Sequence, residues 1–219
     1  MAKDSTAIDL SKFAPAVNVG TAKLGGGDPP PVRPSAPIGA NAWLAVLMFL
    51  GAEAMFFAGL IGAYLVFRVG APFWPPPFQP RLPVIVTGIN TVILLASAWT
   101  MRLALQAGRR DERTALIGYL GVTALLGSVF LAVQGFEWLE LIRYGLTVSS
   151  SVYGGMFYTL IGFHAAHVLG ALVWLGIVFV LARRGRYSKS SHVGLQTCHM
   201  YWIFVVGLWP VLYGLVYLY

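Results

Sequence analysis

Six ionisable side chains stand inside the long apolar runs of this 219-residue sequence: Glu53, Glu137, Glu140, His164, His167 and His199. Carboxylates and imidazoles carry protons and ligate metals or haem. In hydrocarbon a bare charge is costly, so each must be paired, neutral or close to water. Spacing groups them further. Glu137/Glu140 and His164/His167 are each separated by three positions, so on helices each pair shares a face. At about 1.5 Å of rise per residue, Glu53 and His167 fall near the middle of their runs. His164 lies about 5 Å outward of centre, Glu137 roughly 14 Å outward, and Glu140 further still.

Two carboxylates and two imidazoles on successive helices suggest a metal centre. A depth mismatch of about 9 Å between the closest members argues against it, and the Glu-x-x-His pattern of carboxylate-bridged centres is absent. Haem meets a similar objection. His164 and His167 share one face and cannot take both axial positions, and His199 lies about 10 Å on the other side of centre. No Cys-x-x-Cys-His occurs, and the single cysteine, Cys198, can build neither an intrachain disulfide nor a thiolate cluster. No metal or haem is therefore expected in this chain. A midplane carboxyl at Glu53 should be protonated or hydrogen-bonded. It is read either as a proton-relay or lipid-headgroup contact, or as a neutral side chain bonded to another helix.

The elements that hold these groups follow from composition. Hydrophobic residues make up 58% of the chain and charged residues 11%, with a mean hydropathy of +0.73. A soluble chain is about one quarter charged, so the expected solvent is a bilayer. Continuous apolar runs cover about 42–67, 83–101, 114–142, 153–182 and 193–219, each close to or above the ~20 residues that span hydrocarbon as a helix. Membrane strands would alternate instead. The expected fold is an all-α bundle of five transmembrane helices. Twelve of the 15 basic residues fall on one side, at the N-terminus and the second and fourth loops; Arg68, Arg81 and Arg143 fall on the other. The positive-inside rule then puts the N-terminus in the cytoplasm and the C-terminus outside. With the charge so clustered, the +7 balance suits anionic headgroups rather than nucleic acid.

Residues 1–37 read as a flexible Gly/Pro-rich tail preceding a transmembrane domain over 38–219. The tail lacks the basic start and short apolar core of a cleavable signal peptide, so the first span should direct insertion. Ala54, Ala58 and Gly62 form one small-residue stripe and Gly162, Ala166 and Gly170 another, expected to let helices approach closely. Trp43, Trp74, Trp138, Tyr144 and Tyr219 are expected at the membrane boundaries. Phe73-Trp74-Pro75-Pro76-Pro77-Phe78 reads as a stiff outer loop.

The order of several words is that of a known family. Gly51-Ala52-Glu53-Ala54-Met55-Phe56-Phe57 resembles the Ser-Glu-x-x-Phe-Phe segment of subunit III of haem–copper oxidases. Similar to the same family are the Trp74-Pro75-Pro76 loop, Asn90-Thr91 followed by Leu94-Leu95-Ala96-Ser97, Gln134-Gly135-Phe136-Glu137-Trp138, and Tyr153-Gly154-Gly155-Met156-Phe157-Tyr158. Gly162-Phe163-His164-Ala165-Ala166-His167-Val168 and His192-Val193-Gly194 complete the series. The resemblance runs in order from about Trp43 to Tyr219.

It implies a non-redox subunit of a proton-pumping cytochrome c oxidase, in the shorter bacterial form that lacks the first two of seven helices. In that family subunit III packs against subunit I, haem and copper belong to subunits I and II, and a V-shaped helix cleft holds phospholipid. By resemblance Glu53, His164 and His167 line or brace that region, and the subunit supports proton uptake and protects the active site. Glu137, Glu140, His192 and His199 are expected as interhelical polar groups. The implied location is the bacterial cytoplasmic membrane. This sequence departs from the family where many members carry Trp-His-Phe-x-Asp: Ile203 and Val206 replace the polar pair. Gln196 stands for a common glutamate, and His199 is a candidate shifted substitute. The other readings are a companion subunit of a quinol oxidase or nitric-oxide reductase, or an independent transporter. Proline-broken or inverted repeats would favour the transporter, and no convincing repeat occurs.

Overall fold

In hydrocarbon a backbone N–H or C=O must be bonded within its own segment, which makes the helix the default for each apolar run. The computed structural model describes residues 38–77, 82–187 and 193–218. Among them five helices form: α1 (Ile38–Gly70), α2 (Val84–Arg110), α3 (Arg113–Arg143), α4 (Val152–Arg183) and α5 (Val193–Tyr213). A π-helical turn, Gly214–Leu218, continues α5. All five are long and apolar enough to cross a membrane. The 1–37 tail, His192, Phe78 and Tyr219 lie outside the described residues.

Local chemistry sets the helix ends. Ser151 accepts a hydrogen bond from the Gly154 N–H and caps the start of α4. At the ends of α2, α3 and α4 a residue with positive φ (Asp111, Gly145 and Gly185) turns the chain left-handed. The next N–H then reaches back to a carbonyl in the last turn: Glu112 to Ala107, Leu146 to Leu141, and Arg186 to Leu181. Glycine takes this conformation freely at 145 and 185. Helix α2 runs nine residues past the expected limit at Met101. Loss of hydropathy marks where membrane ends, whereas the helix ends only where the Asp111 cap closes it.

Helices α2, α3, α4 and α5 pack in a ring, with α1 outside it against α4 and α5. The largest side chains of the core include Trp202, Trp209, Tyr64, Phe57, Phe130 and Phe157. Across the ring, α2 contributes a buried polar seam at helical spacing. Thr91 Oγ1 accepts from Trp209 Nε1 (2.9 Å) and Ser97 Oγ accepts from Trp202 Nε1 (3.2 Å). The hydroxyls of Thr100 and Thr123 meet at 2.8 Å. At the far end of α1 the Arg68 guanidinium and Tyr64 hydroxyl reach the Leu215 carbonyl in the π-turn, and Trp74 Nε1 donates to Tyr64.

The two expected small-residue stripes do not make the close approaches. Ala54, Ala58, Gly62, Ala166 and Gly170 are exposed, with Gly162 half-buried. Tight crossings are at Gly108 on α2, where an added Cβ would stand 2.5 Å from Leu195, and at Gly127 on α3, where it would stand 2.6 Å from the Trp202 ring and 3.0 Å from Leu172. A single glycine facing an indole gives no repeating sequence signal. Trp74 is also more than a boundary anchor, since its ring packs edge-on against Tyr64 and Tyr153. The Gly127→Ala variant is expected to lose about 1–3 kcal/mol from overpacking. Gly135→Ala, where an added Cβ would meet nothing within 4 Å, should gain up to about 1 kcal/mol of helix propensity. Thermal unfolding in detergent measures both, and equal effects would refute the assigned crossing.

Candidate functional site

Two expected midplane residues meet. Glu53 on α1 and His167 on α4 are joined by a 2.7 Å contact between Oε2 and Nε2, each side chain 17% exposed. The second nitrogen, His167 Nδ1, lies 2.6 Å from the Phe163 carbonyl. A carbonyl only accepts, so Nδ1 carries a hydrogen. One proton then occupies the contact at Nε2. It sits on the imidazole facing a carboxylate, or on the carboxyl facing a neutral imidazole. Both arrangements are net neutral, which suits a membrane interior. Phe57 packs edge-on and Phe56 tilted against the His167 ring, and Phe163 packs edge-on against Phe56.

His164, one turn away, does not join it. The ring is 1% exposed and stacks on Trp209 at 5.0 Å, with Phe57 and Phe130 at its edges. Neither ring nitrogen has a hydrogen-bond partner among the described residues. The shared face expected from spacing is therefore split: His167 reaches toward α1, while His164 is enclosed by aromatic side chains.

The expected carboxylate pair divides in the same way. Glu137 is buried, and its carboxyl oxygens lie 2.9 and 3.1 Å from Thr87 Oγ1 on α2. Gln134 Nε2 donates to Glu137 Oε2 and to Tyr217 Oη, each at 3.2 Å. This makes Glu137 an interhelical polar group. Glu140 is exposed and its side chain makes no hydrogen bond or ion pair among the described residues, so the interhelical contact expected of it is not seen. Three residues turn a helix by about 300°, enough to put one member inside and the next at the rim. His199 is half-buried on α5, where its Nε2 is shielded and unpartnered among the described residues.

Reading the ionisable groups alone overlooked Thr87 and Tyr217. The signal for Thr87 was available in the helical spacing of Thr87, Asn90, Thr91 and Ser97, an uncommon concentration of polar groups on one face of an apolar helix. Thr87→Val is expected to cost about 1–3 kcal/mol by leaving Glu137 short of a donor, whereas Thr87→Ser should retain most stability. Denaturation of the purified protein measures both, and equal losses would contradict the assigned hydrogen bond.

Comparison with known proteins places this arrangement. A family model described as cytochrome c oxidase subunit III matches residues 36–219. Similar curated proteins include cytochrome c oxidase subunit 3 of Synechocystis sp., 39% identical over 174 residues, covering 79% of this chain and 73% of the relative. The protein of the same name from Thermostichus vulcanus is 35% identical over 176 residues, covering 80% of this chain and 86% of its own length. That of Corynebacterium diphtheriae is 31% identical over 177 residues, with the same two coverages. Membrane-length apolar helices and these relatives together make this a multi-pass membrane protein. The match takes in all five helices, and the chain belongs to the cytochrome c oxidase subunit III family.

Proposed function

We propose that the chain serves as the non-redox subunit III of a proton-pumping cytochrome c oxidase in a bacterial cytoplasmic membrane. It packs on subunit I, beside subunit II, and carries none of the haem or copper itself. The N-terminus faces the cytoplasm, consistent with the arginine-rich ends of α2 and α4 and starts of α3 at one side of the bundle.

The Glu53–His167 contact carries the reading. It joins α1, the helix outside the ring, to α4 near mid-helix. A neutral pair sharing one proton can reverse that proton's position without changing its charge. With each side chain 17% exposed, it remains reachable by a lipid headgroup or water. In the assembled oxidase this pair supports proton uptake and braces a lipid-holding cleft beside α1, while His164 stiffens the same region from within. A groove of about 380 Å³ lined by Val66, Phe67, Phe73, Trp74 and Val152 offers apolar surface for an acyl chain.

The Glu53→Gln variant keeps a hydrogen-bonding side chain toward His167. It is expected to assemble normally and slow proton uptake modestly, read in single-turnover pH-indicator kinetics. Collapse of the complex would assign Glu53 a purely structural role. Purification through a tag on this chain in mild detergent tests the assembly. Haem absorption that travels with large partner subunits and leaves when the chain is isolated is expected. A colourless protein that purifies alone would overturn the reading in favour of an independent transporter. Retention should also weaken in His199→Leu if that residue substitutes for the missing polar pair; unchanged retention would sink that role.

A further inference from the structure

The carboxyl of Glu137 belongs to a second polar cluster, separate from the Glu53–His167 pair. Thr87 on α2 meets Glu137 on α3. Three residues along α2 and three back along antiparallel α3 arrive at Asn90 and Gln134, which therefore stand at the same level on facing helices. Both are 1% exposed. Asn90 Nδ2 donates to the Phe130 carbonyl at 3.0 Å, and Gln134 Nε2 donates to Glu137 and Tyr217. Asn90 Oδ1 and Gln134 Oε1 are both buried without a partner among the described residues.

Turning either amide over does not resolve this. A flipped Asn90 would set its oxygen against the Phe130 carbonyl, and a flipped Gln134 would set its oxygen against the Glu137 carboxylate when that group is ionised. The orphaned atoms are thus two acceptors, and an unmet buried acceptor costs about 1–3 kcal/mol. A species with two O–H donors and room to accept in return matches them. Buried waters typically make about three such bonds.

The cluster also has an opening. Glu137 forms the buried side of a small pocket of about 170 Å³, with exposed Glu140 and Tyr144 at its rim and Pro83, Val86 and Leu141 along its walls. No Lys, Arg or His pairs with Glu137 among the described residues. The titratable groups around it are Glu140 and Tyr144 on its own side, Tyr217 on the π-turn, and Tyr153 on α4 beyond Tyr217, with Arg68 of α1 at the Leu215 carbonyl of the same turn. None of the residues lining the pocket is positively charged, so a proton is the cation that this site accepts most simply.

We propose that α2, α3 and the π-turn enclose a hydrated proton-binding site. A water molecule bridges Asn90 Oδ1 and Gln134 Oε1, and Glu137 takes up and releases a proton through the pocket rimmed by Glu140. In uptake a proton bonds to a Glu137 carboxylate oxygen; in release the same bond breaks and the proton returns through the pocket. No electron moves. This site is independent of the oxidase reading, since it rests on side chains of this chain alone.

Two measurements on the intact complex test it. A cryo-electron microscopy map fine enough to show ordered water is expected to hold one peak within hydrogen-bond distance of both amide oxygens. Ordered side chains with no peak there would overturn the proposal. So would a peak ringed by five or more oxygens at metal-ligand distance, which would indicate a sodium-like ion. The carboxyl vibration of Glu137, identified by its loss in Glu137→Gln, is expected to shift on transfer to D2O. A band that remains unshifted after prolonged incubation would refute exchange through the pocket. Neither outcome depends on whether haem co-purifies.

Discussion

A bilayer interior supplies no hydrogen-bonding solvent, so a polar atom that enters it is costly unless it finds a partner. That requirement organises this chain. Indole N–H groups of Trp202 and Trp209 are met by Ser97 and Thr91, and Glu137 is met by Thr87 and Gln134. All but the Gln134–Glu137 bond cross between helices, where apolar packing alone gives little directional preference because lipid tails are as apolar as the side chains they would replace. The seam therefore fixes which faces of α2, α3 and α5 turn inward.

Helix α1 stands apart from that arrangement. Most of its length remains exposed, and it joins the others through few polar contacts: Glu53 to His167 near its middle and the Tyr64–Arg68–Leu215 clasp toward its end. Around the midpoint, Phe56 and Phe57 pack against the His167 ring, with Phe163 beside Phe56. The bond from His167 Nδ1 to the Phe163 carbonyl settles the tautomer and leaves one proton in the contact. A single hydrogen bond within α4 thereby determines what the α1–α4 junction can do chemically.

Much of this was legible from residue types. Five apolar runs gave five helices, and helical rise placed Glu53 and His167 at the same depth, where the structure joins them. Less legible was the side of each helix that would face inward. Glu137 and Glu140 share nominal spacing with His164 and His167, yet in each pair one residue is buried and the other reaches the rim or another helix. The stripes of alanine and glycine on α1 and α4 looked like contact surfaces, whereas Gly108 and Gly127 make tight crossings. Spacing states which residues share a face; only the packing of five helices decides where that face points.

The most direct test of the α1–α4 junction is a double-mutant cycle in the purified complex, using Glu53→Leu, His167→Leu and the two combined, read as thermal stability. A shared proton contact should make the effects strongly non-additive, with the double variant no less stable than the worse single one. Simple addition of the two losses would contradict the account.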